Sequence, residues 1–474
     1  MSMEFYEDRF APVSPSGQYL NSSVLSLTIV AVLEFEVPIH DLQTVSLLKN
    51  VFIPINQRFS SIMVGEKNGT KKWKKVEVNV KDHVRVPIFP AGKSPEYYEK
   101  YLSEYLSRIS LESLPEHQPL WEVHVLPFPT TKAAGNLIFK LHHALGDGYS
   151  LIGALLSCLK RAENPSLPLT FPSRRLSKSH EGADVTSILK RVPQVSSWIV
   201  NTMLDFGWSV LKSSVLKDDV SPIRSGDVGL EVLPMDITTM EFDLDHIKQI
   251  KTSLKVTLND VITGVILLGT RRYMEGEEKN SGDSNSTALV LLNTRNVEGY
   301  KSISEMVKPK ATMPWGNHFS FLHVPLPKLS SPSPGHDSSA KFNPLDFVYA
   351  SHHIIKRKRN NAAAFLTGGL LDHVRKIKGP EATARYIYNT MSNSSMGITN
   401  LIGPLEQMTL SDHPISGLYF AVGGVPQSLE ISILSYVGKL RIAIAVEKDF
   451  IDIKKFKSCI ESSFDTIFKA AVPS

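Results

Sequence analysis

Cysteine is almost missing: Cys158 and Cys459 are the only two in 474 residues. Two thiols build neither a disulfide framework nor a thiolate zinc site, so a reducing compartment is the simplest expectation. A basic start followed by an apolar run is missing too. The opening stretch MSMEFYEDRFAPVSPSG is acidic, polar and proline-bearing, and no secretory signal is expected. The sequons at Asn21, Asn68, Asn285 and Asn393 then read as chance matches on a cytosolic surface. Charge of one sign is scarce: 52 Lys plus Arg against 47 Asp plus Glu leave a net charge of +5. That is far from a dedicated nucleic-acid binder, and no nucleic-acid partner is expected. No glycine-rich phosphate loop occurs, and GYSLIG misses the serine-hydrolase elbow by one residue.

What is present is apolar material, 42% of the chain, enough for sizeable cores. A chain this long exceeds one ordinary core, so two domains are expected. Val24 to Val37 reads as a buried strand, and KKWKKVEVNV alternates like an edge strand whose lysines stay in water. SPEYYEKYLSEYLSRISLESL has helical spacing, with Tyr97, Tyr101, Tyr105 and Ile109 on one side. Trp121 to Leu126 and Asn136 to His142 read as strands, and a helix capped by Ser150 is expected through about Lys160. Residues 164–182 and 216–229 are turn-rich linker candidates, and 329–344 reads as a surface loop. DFVYASHHIIKRKRN reads as an exposed helix with a solvated Lys356 to Arg359 face. Helices are expected from about Asp243, Thr257 to Asp260 and Asp452, separated by strands. The fold class is therefore mixed α/β, divided as residues 1–180, a crossover 181–229, and residues 230–474.

The segment KLHHALGDGYS carries the most chemistry. Adjacent residues on a strand point to opposite faces, so one of His142 and His143 faces a core and the other a cleft or solvent. Ordinary packing is one reading of the pair. A metal site is a second, because His143 and Asp147 are four apart, but Gly146 and Gly148 argue against a helix there and no partner segment completes a shell. A catalytic base is the third. A strand would deliver His143 to a cleft, where a neutral imidazole can take a proton from a hydroxyl near neutral pH. Asp147, at a turn before a helix, would lock the loop. The second pair, His352-His353, has no following Asp-Gly and is assigned no chemistry.

HHALGDG matches the HHxxxDG motif, and in this respect the chain resembles the acyl-CoA-dependent acyltransferases built like chloramphenicol acetyltransferase. Further blocks, PLWEVHVL, LNDVITGVI, NTR, WGNHFSFLHVPL, NLIGPLEQM and GLYFAVGGVPQSLEISILSYVGKLRI, resemble the plant wax ester synthase/diacylglycerol acyltransferases, in that family's order along nearly the whole chain. The alcohol-acylating plant family with a DFGWG motif is a poorer match, because DFGWS here lies mid-chain at Asp205 to Ser209.

The resemblance implies two chloramphenicol-acetyltransferase-like domains with a tunnel at their interface. It implies His143 as general base and acyl-CoA as co-substrate, with no bound cofactor and no metal. A fatty alcohol would be the acceptor, giving a wax ester, with diacylglycerol as a second acceptor. His142 would be structural, Asp147 would hold the loop by pairing with Arg295, and Gly148 would permit close approach of CoA. Asn259 is a candidate oxyanion donor, with helix capping as the plainer alternative, and Asp260 belongs to the same block. Pro119, Leu120 and Trp121 would pack near the site, and Gly316, Asn317 and Asn400 would shape tunnel loops. An acyltransferase for a phenolic or short-chain alcohol, or an idle lipid-binding protein of this fold, are the other readings.

VSSWIVNTMLDFGWSVLKSSV, Val195 to Val215, is apolar but interrupted by Asn201, Asp205 and Lys212. Its apolar part would extend only about 25 Å as a helix, short of a bilayer core. Trp198, Phe206 and Trp208 suit an interfacial helix, against the alternatives of a packed crossover or a span. The resemblance implies the cytosolic face of the endoplasmic reticulum as the location, with the plasma membrane as the alternative. Oligomeric state stays open.

Overall fold

A computed structural model describes residues 10–39, 41–66, 69–167, 169, 185–226, 229, 232–278, 281–295, 306, 314–329 and 342–473. Most of the linker 164–182 and of the loop 329–344 lies outside the described residues.

Two mixed sheets form the frame. The strands of the first are β2 (Thr28–Phe35), β5 (Val84–Arg85), β6 (Trp121–Leu126), β7 (Gly135–His142), β8 (Lys160–Arg161), β13 (Met408–Leu410) and β14 (His413–Gly423). Their order is β5-β6-β7-β2-β14-β13-β8. The second sheet uses β9 (Met235–Asp243), β10 (Thr287–Asn293), β11 (Phe319–Pro325), β12 (Met396–Ile402), β15 (Leu429–Tyr436) and β16 (Lys439–Glu447), in the order β11-β10-β12-β15-β16-β9. Every residue of β2 is buried, as its largely β-branched and aliphatic run suits a strand paired on both edges.

The division of the chain at 180 and 229 leaves out one crossing. Strands β13 and β14, from the C-terminal half, complete the first sheet, with β14 antiparallel to β2 from Thr28 to Phe35. Across this junction Arg441 of β16 donates to Glu34 of β2 at 2.9 Å, a buried pair joining the two sheets. Consecutive strands can thus part company because β14 finds its edge partner in β2, while β15 and β16 stay together as a hairpin.

Among the described residues, the helices of ten or more residues are α1 (Pro95–Leu111), α2 (Gly148–Ser157), α3 (Val185–Ser214), α4 (Leu244–Leu254), α5 (Leu258–Glu277), α6 (Leu345–Asn360), α7 (Ala363–Ser392) and α8 (Ile453–Ala471). The largest core lies between the second sheet and α4, α5, α6 and α8, with Val265, Ile266, Ile431, Ile433 and Phe456 at its centre. A second core packs β2, β6 and β7 against α2.

Several sequence expectations need correction. β4 (Lys71–Lys75) is the middle strand of a small sheet, between β1 (Phe10–Pro12) and β3 (Ser61–Gly65), not an edge. Alternation reports which face is wet, here with Trp73 buried, and says nothing about which strands lie alongside. Tyr97 is exposed, and the buried stripe of α1 runs through Tyr98, Leu102, Tyr105 and Ile109. Asp147, not Ser150, caps α2, accepting from Ser150 N at 3.0 Å. The face from Lys356 to Arg359 is not all solvated, since Lys358 is buried against Asp205. The stretch 216–229 is no loose linker at Asp218. Its buried carboxylate pairs with Lys212 and accepts from Thr287 and Ser395, stitching the crossover to the second sheet.

Candidate active site

β7 runs through His142, whose backbone N donates to Leu120 O at 3.0 Å, while His143 N turns to Leu27 O at 2.8 Å. The strand ends here because the next turn, with Leu145 N donating to His142 O, leads into the Asp147 cap. The two imidazoles face different surroundings. His142 Nδ1 accepts from Ala144 N at 3.0 Å, so its proton sits on Nε2 and is donated to Ser26 Oγ at 3.1 Å. Burial pushes this ring down to about 3, which keeps it neutral.

His143 is also buried, yet it lines a cavity between the two sheets. Asn317 grips it twice. The amide Nδ2 donates to His143 O at 2.9 Å, which orients Oδ1 toward Nδ1 of the ring at 2.8 Å. Assigned from this network, the proton lies on Nδ1 and the lone pair on Nε2, which has no hydrogen-bond partner among the described residues. Phe319 sits edge-on to the ring, 5.5 Å between centroids. Burial lowers the His143 pKa below the usual histidine value, opposed by the charge of Asp147 and by the Asn317 hydrogen bond.

Asp147 does not touch His143 by any hydrogen bond described. It takes two from Arg295, Nη1 to Oδ2 at 2.6 Å and Nη2 to Oδ1 at 3.1 Å, and one from His318 N at 2.8 Å. Arg295 goes on to donate to Ser150 Oγ at 3.0 Å, Pro314 O at 3.0 Å and Gly316 O at 2.8 Å. The ion pair thereby clamps the motif turn to the loop 314–318 that carries Asn317. Gly316 has φ +132°, a conformation that a side chain disfavours, and this bend presents Asn317 to His143. Trp315 Nε1 and Arg58 Nη1 both donate to Leu145 O, at 2.8 and 2.9 Å, and hold the turn from outside. Gly148 lines the cavity, and a Cβ there would meet Leu401 at 2.8 Å and narrow the passage.

The other predicted residues do not touch the His143 ring by any hydrogen bond described. Asn259 does not cap α5; Thr257 does, in a capping box with Asp260. Asn259 Oδ1 accepts from Asn400 Nδ2 at 3.0 Å, and of the two only Asn400 lines the cavity. Asp260 also pairs with His352 at 2.8 Å, so that ring ties α6 to α5. Pro119, Leu120 and Trp121 do not line the cavity. Trp121 stacks on His83 at 4.1 Å and donates from Nε1 to Phe59 O at 2.8 Å, steadying β6. Sequence reasoning underrated Asn317, for which WGNHF was the available signal, and passed over Gln427 and Glu430, which also line the cavity.

The cavity wall is apolar, with Ile29, Phe420 and Val422 from the first sheet facing Leu289, Leu291 and Phe321 from the second. A histidine with a free Nε2 at the seam of two such sheets defines a two-domain fold of the condensation and chloramphenicol-acetyltransferase type. Solved structures agree. A wax ester synthase/diacylglycerol acyltransferase from Marinobacter aquaeolei VT8 superposes with a TM-score of 0.58 at 14% identity, covering 97% of this chain and 100% of that one. The starter condensation domain of rhizomide synthetase, a double mutant in complex with C8-CoA and Leu-SNAC, superposes at 0.55 with 10% identity over 99% of this chain and 96% of that one. Residues 49–262 match the wax ester synthase/diacylglycerol acyltransferase catalytic domain, and 315–468 match the WS/DGAT C-terminal domain. Wax ester synthase/diacylglycerol acyltransferase 7 of Arabidopsis thaliana is 28% identical over 92% of this chain and 92% of its own length. Wax ester synthase/diacylglycerol acyltransferase 8 of the same plant is 28% identical over 96% and 95%. The chain belongs to the wax ester synthase/diacylglycerol acyltransferase family.

Proposed function

We propose that the protein is an O-acyltransferase moving a long-chain acyl group from acyl-CoA to a fatty alcohol, with diacylglycerol as a second acceptor. The carrying observation is His143 at a cavity lined largely by apolar side chains from both sheets, with its Nδ1 bound to Asn317 and Nε2 left to act as the base. His143 Nε2 takes the acceptor hydroxyl proton, and the oxygen attacks the thioester carbonyl. The tetrahedral intermediate collapses, the C–S bond breaks, and the CoA thiolate takes the same proton back from Nε2. Asn317 holds Nδ1–H throughout, so the imidazolium formed in between keeps a hydrogen-bonded proton on each nitrogen. Both substrates meet in one passage, so proximity and proton removal suffice without an acyl-enzyme. Asp147 and Arg295 act as positioning residues through the loop that carries Asn317. In this reading Asn259 serves the oxyanion through Asn400, which it holds at the cavity wall.

The apolar wall favours a chain over a phenolic ring or a short alcohol. Purified protein incubated with palmitoyl-CoA and hexadecanol should release CoA and form wax ester, with diacylglycerol tested in parallel. No ester with any alcohol would remove the proposal. An idle lipid-binding protein would bind these lipids equally well after His143→Ala and release no CoA in either form.

The same proposal extends to a membrane surface. No single helix among the described residues is long and apolar enough to cross a membrane. Asp205, which interrupts the apolar stretch in sequence, points inward on α3 and accepts from Arg357, Lys358 and Asn361 at 2.8, 2.9 and 2.6 Å. The outward side exposes Val200, Met203 (67%), Leu204 (65%) and Leu211, and Phe365 (71%) of α7 is exposed as well. A helix of this kind suits the headgroup plane, where long-chain alcohols and diacylglycerol reside. The cytosolic face of the endoplasmic reticulum is the proposed location, with the plasma membrane as the alternative, to be separated by imaging a tagged chain.

A further inference from the structure

The part of the cavity away from the motif is not lined like the rest. Glu430, on β15, faces into it and is buried, with Oε1 accepting from Thr399 Oγ1 at 3.4 Å. Gln427 lines the same region, and its buried Nε2 has no hydrogen-bond partner among the described residues. The fold makes room for the carboxyl group: a Cβ on Gly397, the residue of β12 paired with Glu430, would land within it. Burial pushes the Glu430 carboxyl up to about 8, so near neutral pH it is mostly protonated and able to donate as well as accept. An acid and an amide left in this state in an apolar wall are costly unless a ligand completes them.

Their place along the passage follows from β12. Leu401 abuts Gly148 of the motif, and Gly397 lies four residues back. At a strand rise near 3.3 Å per residue, Glu430 is on the order of 13 Å farther along the cavity. It is therefore remote from the reacting carbon, yet within reach of an extended chain whose end group reacts at His143.

We infer that Glu430 and Gln427 form a specificity pocket for a second hydroxyl carried along the chain of a substrate. This deepens the acyltransferase reading and rests on it. A hydroxyl fits both groups at once, accepting from Gln427 Nε2–H and donating to Glu430. A hydroxyl, as donor and acceptor, matches Glu430 in either protonation state, whereas an ester carbonyl can only accept and so matches the protonated acid alone, and a saturated chain leaves both groups unmatched. An ammonium would arrive charged in an apolar passage, where desolvation opposes it. The hydroxyl can come with the acceptor, as in a long-chain diol, or with the acyl group, as in a hydroxyacyl-CoA.

The test compares hexadecanol with its terminal diol, and palmitoyl-CoA with its terminally hydroxylated counterpart, at wild type, Glu430→Leu, Glu430→Gln and Gln427→Leu. Equilibrium binding of the same alcohols and acyl-CoAs is measured beside turnover. A site built to hydrogen-bond a hydroxyl should favour the hydroxylated chain by about tenfold or more in kcat/KM and in affinity. Glu430→Leu should abolish that preference and improve the plain chain, Glu430→Gln should keep most of it, and Gln427→Leu should weaken it. Whichever arm shows the preference names the source of the hydroxyl. Equal use and equal binding of plain and hydroxylated chains by wild type would overturn the inference, as would a preference that survives Glu430→Leu and Gln427→Leu. Ester formed equally from both chains, with equal binding, sinks only this inference, whereas no ester from any alcohol sinks the acyltransferase reading. The binding preference decides the pocket in either case.

Discussion

The two ends of one cavity treat buried polar groups in opposite ways. At the motif end the Asp147 carboxylate takes Ser150 N, His318 N and both terminal nitrogens of Arg295, and His143 Nδ1 is closed off by Asn317. His143 Nε2, without a hydrogen-bond partner among the described residues, is left for chemistry. At the Glu430 end the carboxyl group has one long hydrogen bond from Thr399, and Gln427 Nε2 has no partner among the described residues. A saturated network fixes geometry, because each group has a single low-energy place. An unsaturated one is poised for a ligand, because the missing hydrogen bonds must come from elsewhere.

The comparison can be broken most sharply at Arg295. Arg295→Ala leaves Asp147 charged and buried without its partner, and should cost about 3–5 kcal/mol of stability. Turnover should fall with it, since the loop bearing Asn317 loses its clamp; urea denaturation of both proteins measures the first effect. A change under about 1 kcal/mol, the range of exposed pairs, would mean that the pair is decorative.

Asn317→Ala should leave the fold intact and lower kcat by roughly tenfold, as expected for losing the orientation of a general base. The sign of its pH effect is also fixed. The Asn317 hydrogen bond favours the charged ring, so removing it lowers the His143 pKa further below its already depressed value. The acid limb of kcat/KM should move to lower pH, and a limb moving upward would contradict the assignment of Nδ1–H to Asn317.

At the other end the expected effect concerns how stability depends on pH. Glu430 titrates near 4.5 in the unfolded chain and near 8 in the folded one. Its contribution is fully present below the unfolded value and is lost as pH climbs toward about 8, because only the unfolded chain gains by ionising there. Glu430→Gln should therefore flatten the decline of stability between those values, as read by denaturation at several pH values. An unchanged slope would mean that the carboxyl group is already ionised in the folded protein.

Smallest is the effect of Leu204→Asp on the outer face of α3, which should leave turnover of detergent-dispersed substrate unaltered while reducing co-sedimentation with vesicles. Undiminished sedimentation would place membrane contact elsewhere.

Much of the motif end was legible in sequence because its signals are local. A strand period brought His143 to an edge, and an Asp-Gly turn before an apolar helix located the break. The partner residues were harder to see. Asn317 lies 174 residues from His143, and no periodicity links the two. Arg295 was reached only through resemblance. Asp205 looked like a flaw in an apolar helix because its three partners arrive from residues 357–361. Glu430 sits inside LEISILSY, where a strand pattern reports a face but not whether that face meets core or cavity. The return of β14 to the first sheet was hidden for a related reason: edge pairing over long sequence separations leaves no local mark.

The central claim is that the Nε2 of His143 takes the acceptor proton. It is tested most directly by CoA release from palmitoyl-CoA plus hexadecanol, comparing wild type with His143→Ala at matched folded concentration. Loss of about 10²- to 10⁴-fold in kcat, with substrate binding retained, is the predicted result for removing a general base. Turnover within a few-fold of wild type would contradict it.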